Sequence, residues 1–118
     1  MIDEIKYFLI KKYADHNDAK VIKSALNELL SKLSADSIGL NIGAGKTKID
    51  SRIKNLEIEP GDGIDYVGSV EKIPCNSDYF DLVITQEVLE HVASPFLAIK
   101  EIHRVLKKEG MLIFNSIL

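Results

Sequence analysis

Apolar positions change their spacing once along the chain, near residue 36. Before it, Ile2, Ile5, Phe8 and Leu9 share one helical face, and Val21, Ile22, Ala25, Leu26, Leu29, Leu30 and Leu33 form a broader stripe at the helical period. That pattern predicts two amphipathic helices, with Asn17 or Asp18 as a cap between them and an exit loop at 34–37. The stripe of Leu26, Leu29, Leu30 and Leu33 reads as core packing. After residue 37 the apolar residues gather into runs at 38–42, 56–58, 66–67, 80–85 and 111–117, each short enough to be a buried strand.

The segments between those runs differ in kind. Pro60-Gly61-Asp62-Gly63 is turn chemistry. Residues 94–108 predict a helix, with Ser94 as its cap, Pro95 in its first turn and Ala98, Ile99, Ile102, Val105 and Leu106 on its apolar face. Gly110 is expected to stop it, with Lys107 and Lys108 in the last turn at the negative end of the helix dipole. Only residues 46–55 connect the run at 38–42 to the next, and a crossover including its helix takes at least about 10–12 residues. A helix of one or two turns, or a bare loop, is expected there. Strands alternating with helices and long connections predict an α/β fold, a Rossmann-like parallel sheet of about five strands preceded by two N-terminal helices. Residues 1–36 form the helical segment and 37–118 the binding core of a single domain.

Composition narrows the function classes. A chain of 118 residues supports one core, not a nucleotide domain plus a separate substrate domain. The formal charge of −3 is spread along the chain without a basic stripe, which argues against a nucleic-acid partner. Cys75 is the single cysteine, which excludes an intrachain disulfide and a cysteine-rich zinc site and suits a reducing cytosol. His16, His91 and His103 lack ligand spacing, so no metal is expected. Asp3, Glu4 and Lys6 interrupt the first apolar residues, and no run approaches the roughly 20 of a membrane span. The expectation is a cytoplasmic protein with no membrane partner.

Candidate chemistry centres on Gly43-Ala44-Gly45 after the first strand-like run and on Glu57 at the end of the second. Glycine lets the chain turn sharply and lets a ligand approach the backbone, and a carboxylate at the neighbouring strand end can accept two hydrogen bonds from a ribose diol. Together they describe a site for an adenosine-containing cofactor. Gly45-Lys46-Thr47 imitates the end of a phosphate-binding P-loop, but that loop needs a glycine where this chain has Leu40.

Six segments in order, LNIGAG at 40–45, LEI at 56–58, GSVEKIP at 68–74, YFDLVIT at 79–85, QEVLEHV at 86–92 and EIHRVLKKEG at 101–110, resemble the motifs of class I S-adenosylmethionine-dependent methyltransferases acting on small molecules. The resemblance runs from about Ile38 to Leu118 and implies S-adenosyl-L-methionine as cofactor and a small-molecule acceptor. It lays the loop of Gly43, Ala44 and Gly45 against the methionine part of the cofactor, with Asn41 at a position usually acidic, near the amino group. It implies that Glu57 grips the ribose hydroxyls, that Ile58 flanks the adenine, and that Ser69 and Val70 meet the adenine edge where Asp-Ala is common. Thr85 and Gln86 then lie near the sulfonium and the acceptor. Positioning supplies much of the rate in such a transfer, so no catalytic side chain is assigned. His91 is the candidate for taking a proton from a hydroxyl acceptor, although a role in fixing its own short helix is the favoured reading. Residue 118 falls in or just after the resembled fifth strand, so either the chain is a fragment or truncated gene product, or it is a reduced module that covers its exposed sheet edge with another subunit, in a homo-oligomer. The alternative reading is a non-catalytic or inactive remnant acting as an association module.

Overall fold

In the computed structural model, which describes residues 9–11, 19–43, 45, 48–86 and 88–115, the apolar run at 80–85 lies in the middle of the sheet. The strands are β1 (Leu9–Lys11), β2 (Gly39–Ile42), β3 (Ile53–Glu57), β4 (Tyr66–Val67), β5 (Phe80–Gln86) and β6 (Leu106–Asn115). The helices are α1 (Ala19–Lys32) and α2 (Pro95–Val105), and a single 3-10 turn spans Leu89–His91. The strands form one sheet in the order β1-β6-β5-β2-β3-β4, and each neighbouring pair is parallel. Burial on both faces explains why β5 reads as a continuous apolar run: Phe80, Leu82, Val83, Ile84 and Thr85 are all buried.

Alternation along the strands splits the core into two layers. On one face, Leu26, Leu29 and Leu30 of α1 pack on Ile53, Leu82, Ile84 and Ile113. On the other, Ala98, Ile102 and Val105 of α2 pack with Leu40, Ile42, Leu56, Val83 and Leu112. The Arg52 guanidinium fixes the end of α1 by donating to the Leu33 carbonyl (3.0 Å) while paired with Asp50 (2.9 Å). Hydrogen bonds from Arg52 lower the Asp50 carboxyl to about 2.

Three boundaries differ from expectation. Residues 9–11 form an edge strand beside β6, with Leu9 opposite Leu112, where the periodicity predicted helix. The rest of that predicted helix lies outside the described residues. Part of the β6 edge expected to await another subunit is therefore covered by the chain's own β1. α2 ends at Val105, because fully buried Leu106 pairs with Phe80 and opens β6. Lys107 consequently reaches Asp81 (3.3 Å) across the strands instead of serving a helix end. β3 starts at Ile53, earlier than its apolar run, since buried Asn55 spends its side-chain amide on the Gly63 carbonyl (3.0 Å). Between β2 and β3 the described residues contain no helix. No helix among the described residues is long and apolar enough to cross a membrane.

Candidate functional site

Parallel strands all point their carboxyl ends the same way, so the turns leaving β2, β3, β4 and β5 gather along one edge of the sheet. They enclose a cleft of about 270 Å³, near the lower end of ligand-pocket sizes. Ile42 and Gly43 contribute from β2, Leu56, Glu57 and Ile58 from β3, residues 68–71 from the turn after β4, and Val88 and residues 91–93 from the segment after β5.

The glycine turn needs its glycines for two different reasons. Gly43 has φ +70° and its backbone lies over Val88, so an added Cβ would stand 2.5 Å from Val88 Cγ2. Gly45 has φ +61° but open space around it, so only its conformation demands glycine. Glu57 ties this turn to the next strand. Its Oε2 accepts from the Gly45 N–H (2.7 Å) and its Oε1 from the Ile58 N–H (3.2 Å), while the Gly43 N–H donates to the Leu56 carbonyl (3.1 Å). Ala44 lies outside the described residues.

The opposite wall is a second tight turn. The Lys72 N–H donates to the Ser69 carbonyl (3.0 Å), and the Ser69 hydroxyl accepts from the Glu71 N–H (3.0 Å). Val70 turns inward and is buried. Gly68 links the walls, its N–H donating to the Glu57 carbonyl (2.9 Å). Ile58 stands at the cleft with 69% of its surface exposed, so apolar area is available there to a ligand.

Of the residues singled out from sequence, Gly43, Glu57, Ile58, Ser69 and Val70 line the cleft, and Gly45 is bonded to it through Glu57. Asn41 is buried and, by alternation, faces the α1 side, opposite cleft-lining Ile42. Thr85 pairs in register with Ile42 and Phe114 on the cleft's side of the sheet, but is 1% exposed and outside the cleft lining. Its hydroxyl has no hydrogen-bond partner among the described residues. Gln86 ends β5 opposite Asn115. His91 lines the cleft with its side chain 78% exposed; its backbone N–H, not its imidazole, closes the 3-10 turn on the Val88 carbonyl (3.0 Å). Sequence reasoning missed Ile42, Leu56, Gly68, Glu71, Val88, Val92 and Ala93 as cleft residues. The last two directly follow His91 in the chain, which was the available signal.

Residues 23–114 match the family model described as a methyltransferase domain. The chain belongs to that family. This methyltransferase domain is 31% identical over 94 residues to the ubiquinone biosynthesis O-methyltransferase of Colwellia psychrerythraea, a match covering 78% of the chain and 37% of that relative. It spans less than half the length of that protein. Among solved structures, a SAM-dependent methyltransferase from Thermotoga maritima is similar at TM-score 0.61 and 24% identity, over 83% of this chain and 52% of that one. The 4+2 cyclase SpnF is similar at TM-score 0.60 and 17% identity, over 94% and 50%. The fold is thus class I and Rossmann-like, and likeness of fold alone does not set the reaction.

Proposed function

We propose that the cleft binds S-adenosylmethionine and that the domain serves methyl transfer to a small-molecule acceptor. The position of Glu57 carries this reading. An ionised carboxylate offers about four acceptor positions. Glu57 gives two to backbone N–H groups at the cleft and keeps the rest for a ribose diol. The donor set around it fits the remainder of the cofactor. Exposed Ile58 and inward Val70 supply apolar surface for a purine, and the Ser69 turn supplies polar groups for its edge. Gly43 at the cleft, and Gly45 bonded to it through Glu57, offer backbone without a side chain for the methionine portion.

When bound, the cofactor supplies a methyl group already activated on a sulfonium, so the protein's task is orientation of the acceptor. Thr85 and Gln86 at the end of β5 are the residues we assign to that end of the site; the Thr85 hydroxyl there is buried, with no hydrogen-bond partner among the described residues. His91 is assigned the proton: its exposed imidazole borders the cleft and can receive it from a hydroxyl nucleophile. The relative's name makes an oxygen acceptor the first class to try.

Calorimetry with S-adenosylhomocysteine tests the reading. The wild type is expected to bind, and Glu57→Ala to bind about 100-fold more weakly, equivalent to about 3 kcal/mol for two charged hydrogen bonds. Absence of binding at millimolar ligand overturns it. Transfer of a labelled methyl to phenolic or amine acceptors then separates an enzyme from a binding module.

A further inference from the structure

The wall formed by Ser69, Val70 and Glu71 belongs to a connection, residues 68–79, that contains no helix. A loop of that length needs other anchors to hold a defined shape. It receives them from one side of α2. The Ile73 N–H, one residue past the closed turn, donates to Glu101 Oε1 (2.9 Å), and the Ile73 carbonyl accepts from Arg104 Nη2 (2.9 Å). Arg104 Nη1 reaches the Cys75 carbonyl (3.0 Å) and the Ser77 hydroxyl (3.1 Å). Glu101 and Arg104, one helical turn apart, are locked to each other by two bonds, Nε to Oε2 at 2.6 Å and Nη2 to Oε1 at 3.1 Å. The α2 carbonyls of Arg104 and Val105 complete the seam by accepting from the N–H groups of Asp78 and Tyr79 (both 2.8 Å).

We propose that Arg104 and Glu101 are positioning residues of the cleft: by gripping both polar groups of the Ile73 peptide they set the Ser69–Glu71 turn against which the adenine end of the ligand rests. This rests on the cofactor reading above. Neither residue lines the cleft, so each acts through the loop. The guanidinium is the group suited to the task, because its fixed fork serves Glu101 and three loop acceptors at once, which a lysine ammonium cannot reproduce. Ile73 is itself buried, so a loosened clamp leaves its N–H without a partner and its carbonyl with the Cys75 N–H alone (2.8 Å), where water does not readily replace what is lost.

The experiment compares the wild type with Arg104→Lys and Glu101→Gln, the second nearly isosteric and chosen to keep the fold. Two probes are titrated at a temperature well below each variant's melting point: S-adenosylhomocysteine and 5′-methylthioadenosine, which lacks the amino-acid portion. Both variants are expected to lose roughly tenfold in affinity, the scale found when outer partners that orient binding groups are removed. The loss should be equal for the two probes, because it falls on the adenine end they share. Unchanged affinity with a lowered melting point overturns the proposal, since that is what a purely structural pair would give. Loss for S-adenosylhomocysteine alone overturns it too. Amide hydrogen exchange on the ligand-free protein separates this from the cofactor reading. Faster exchange at Glu71 and Lys72 in the variants, with Gly43 unchanged, supports the clamp even where the wild type binds neither probe; unchanged exchange at Glu71 and Lys72 refutes it.

Discussion

The two walls of the cleft are built on different physical terms. Among the described residues, the glycine turn is held to the sheet by the Gly43 N–H on the Leu56 carbonyl and by one half-buried carboxylate, Glu57, whose bond goes to the exposed Gly45 amide. The serine turn is backed by a charged pair that grips the loop at buried Ile73. A ligand that competes for Glu57 can therefore rearrange the first wall at small cost, because water takes up the released Gly45 N–H. Disturbing the second strands the N–H of buried Ile73. One wall is adaptable and the other is preset, and a nucleoside inserted between them meets a rigid seat and a yielding clasp.

The largest effect on this contrast should come from Gly43→Ala. The new Cβ meets Val88 and φ is +70°, so strain and overpacking add to about 2–4 kcal/mol of lost stability. Gly45→Ala meets no atom and carries the conformational cost alone, about 1 kcal/mol. Thermal or denaturant unfolding of the two variants checks the difference. Equal losses would mean that Val88 does not support the glycine turn.

Acid titration addresses the other wall. Arg104 hydrogen bonds, aided by the Ile73 N–H, hold the Glu101 carboxyl below its ordinary 4.5. A folded value below the unfolded one means the contribution is whole above about pH 4.5 and disappears as pH falls through the lowered value. Glu101→Gln should flatten the stability profile in that window. Asp50, lowered from 3.8 to about 2 by Arg52, leaves a residual slope between those values that the variant does not remove. An unchanged profile would show that the clamp contributes nothing to the fold's acid sensitivity.

The adaptable wall was largely legible in the sequence and the preset wall was not, and the reason is the range of the interactions. Gly43, Gly45 and Glu57 sit at the ends of apolar runs, so strand alternation and turn chemistry alone brought them to one edge. Ser94 and Pro95 likewise announced the start of α2, where the Ser94 hydroxyl accepts from the Leu97 N–H (3.3 Å). Glu101 and Arg104 look on paper like an ordinary surface pair on a helix; their loop partners lie 27 to 31 residues away and, the Ser77 hydroxyl apart, are backbone groups, which carry no letter in a sequence. Polar beginnings hid two strands. Lys54 and Asn55 disguised β3, and the Lys107-Lys108-Glu109-Gly110 stretch of β6 read as the end of a helix. Edge strand β1 was misread for a different cause, since the spacing of Ile2, Ile5, Phe8 and Leu9 fits a helix while residues 9–11 extend along β6.

The finest test of the preset wall is Ser69→Asp. The serine hydroxyl already accepts from the Glu71 N–H, so an aspartate can keep that bond with one oxygen and offer the second to the amino group of an adenine. Replacing a neutral acceptor by a charged one should strengthen the ligand bond by about 1 kcal/mol, or roughly fivefold in affinity. Glu71 in the same turn opposes the added charge, which is why the gain is expected to be the smallest of the set. The gain depends on the turn being held in place: in an Arg104→Lys background the same substitution should give no improvement, because an unanchored acceptor spends the new bond on ordering its own loop. Calorimetry of the four proteins in that cycle measures the coupling directly, and additive effects would mean that the turn holds its shape without the helix behind it.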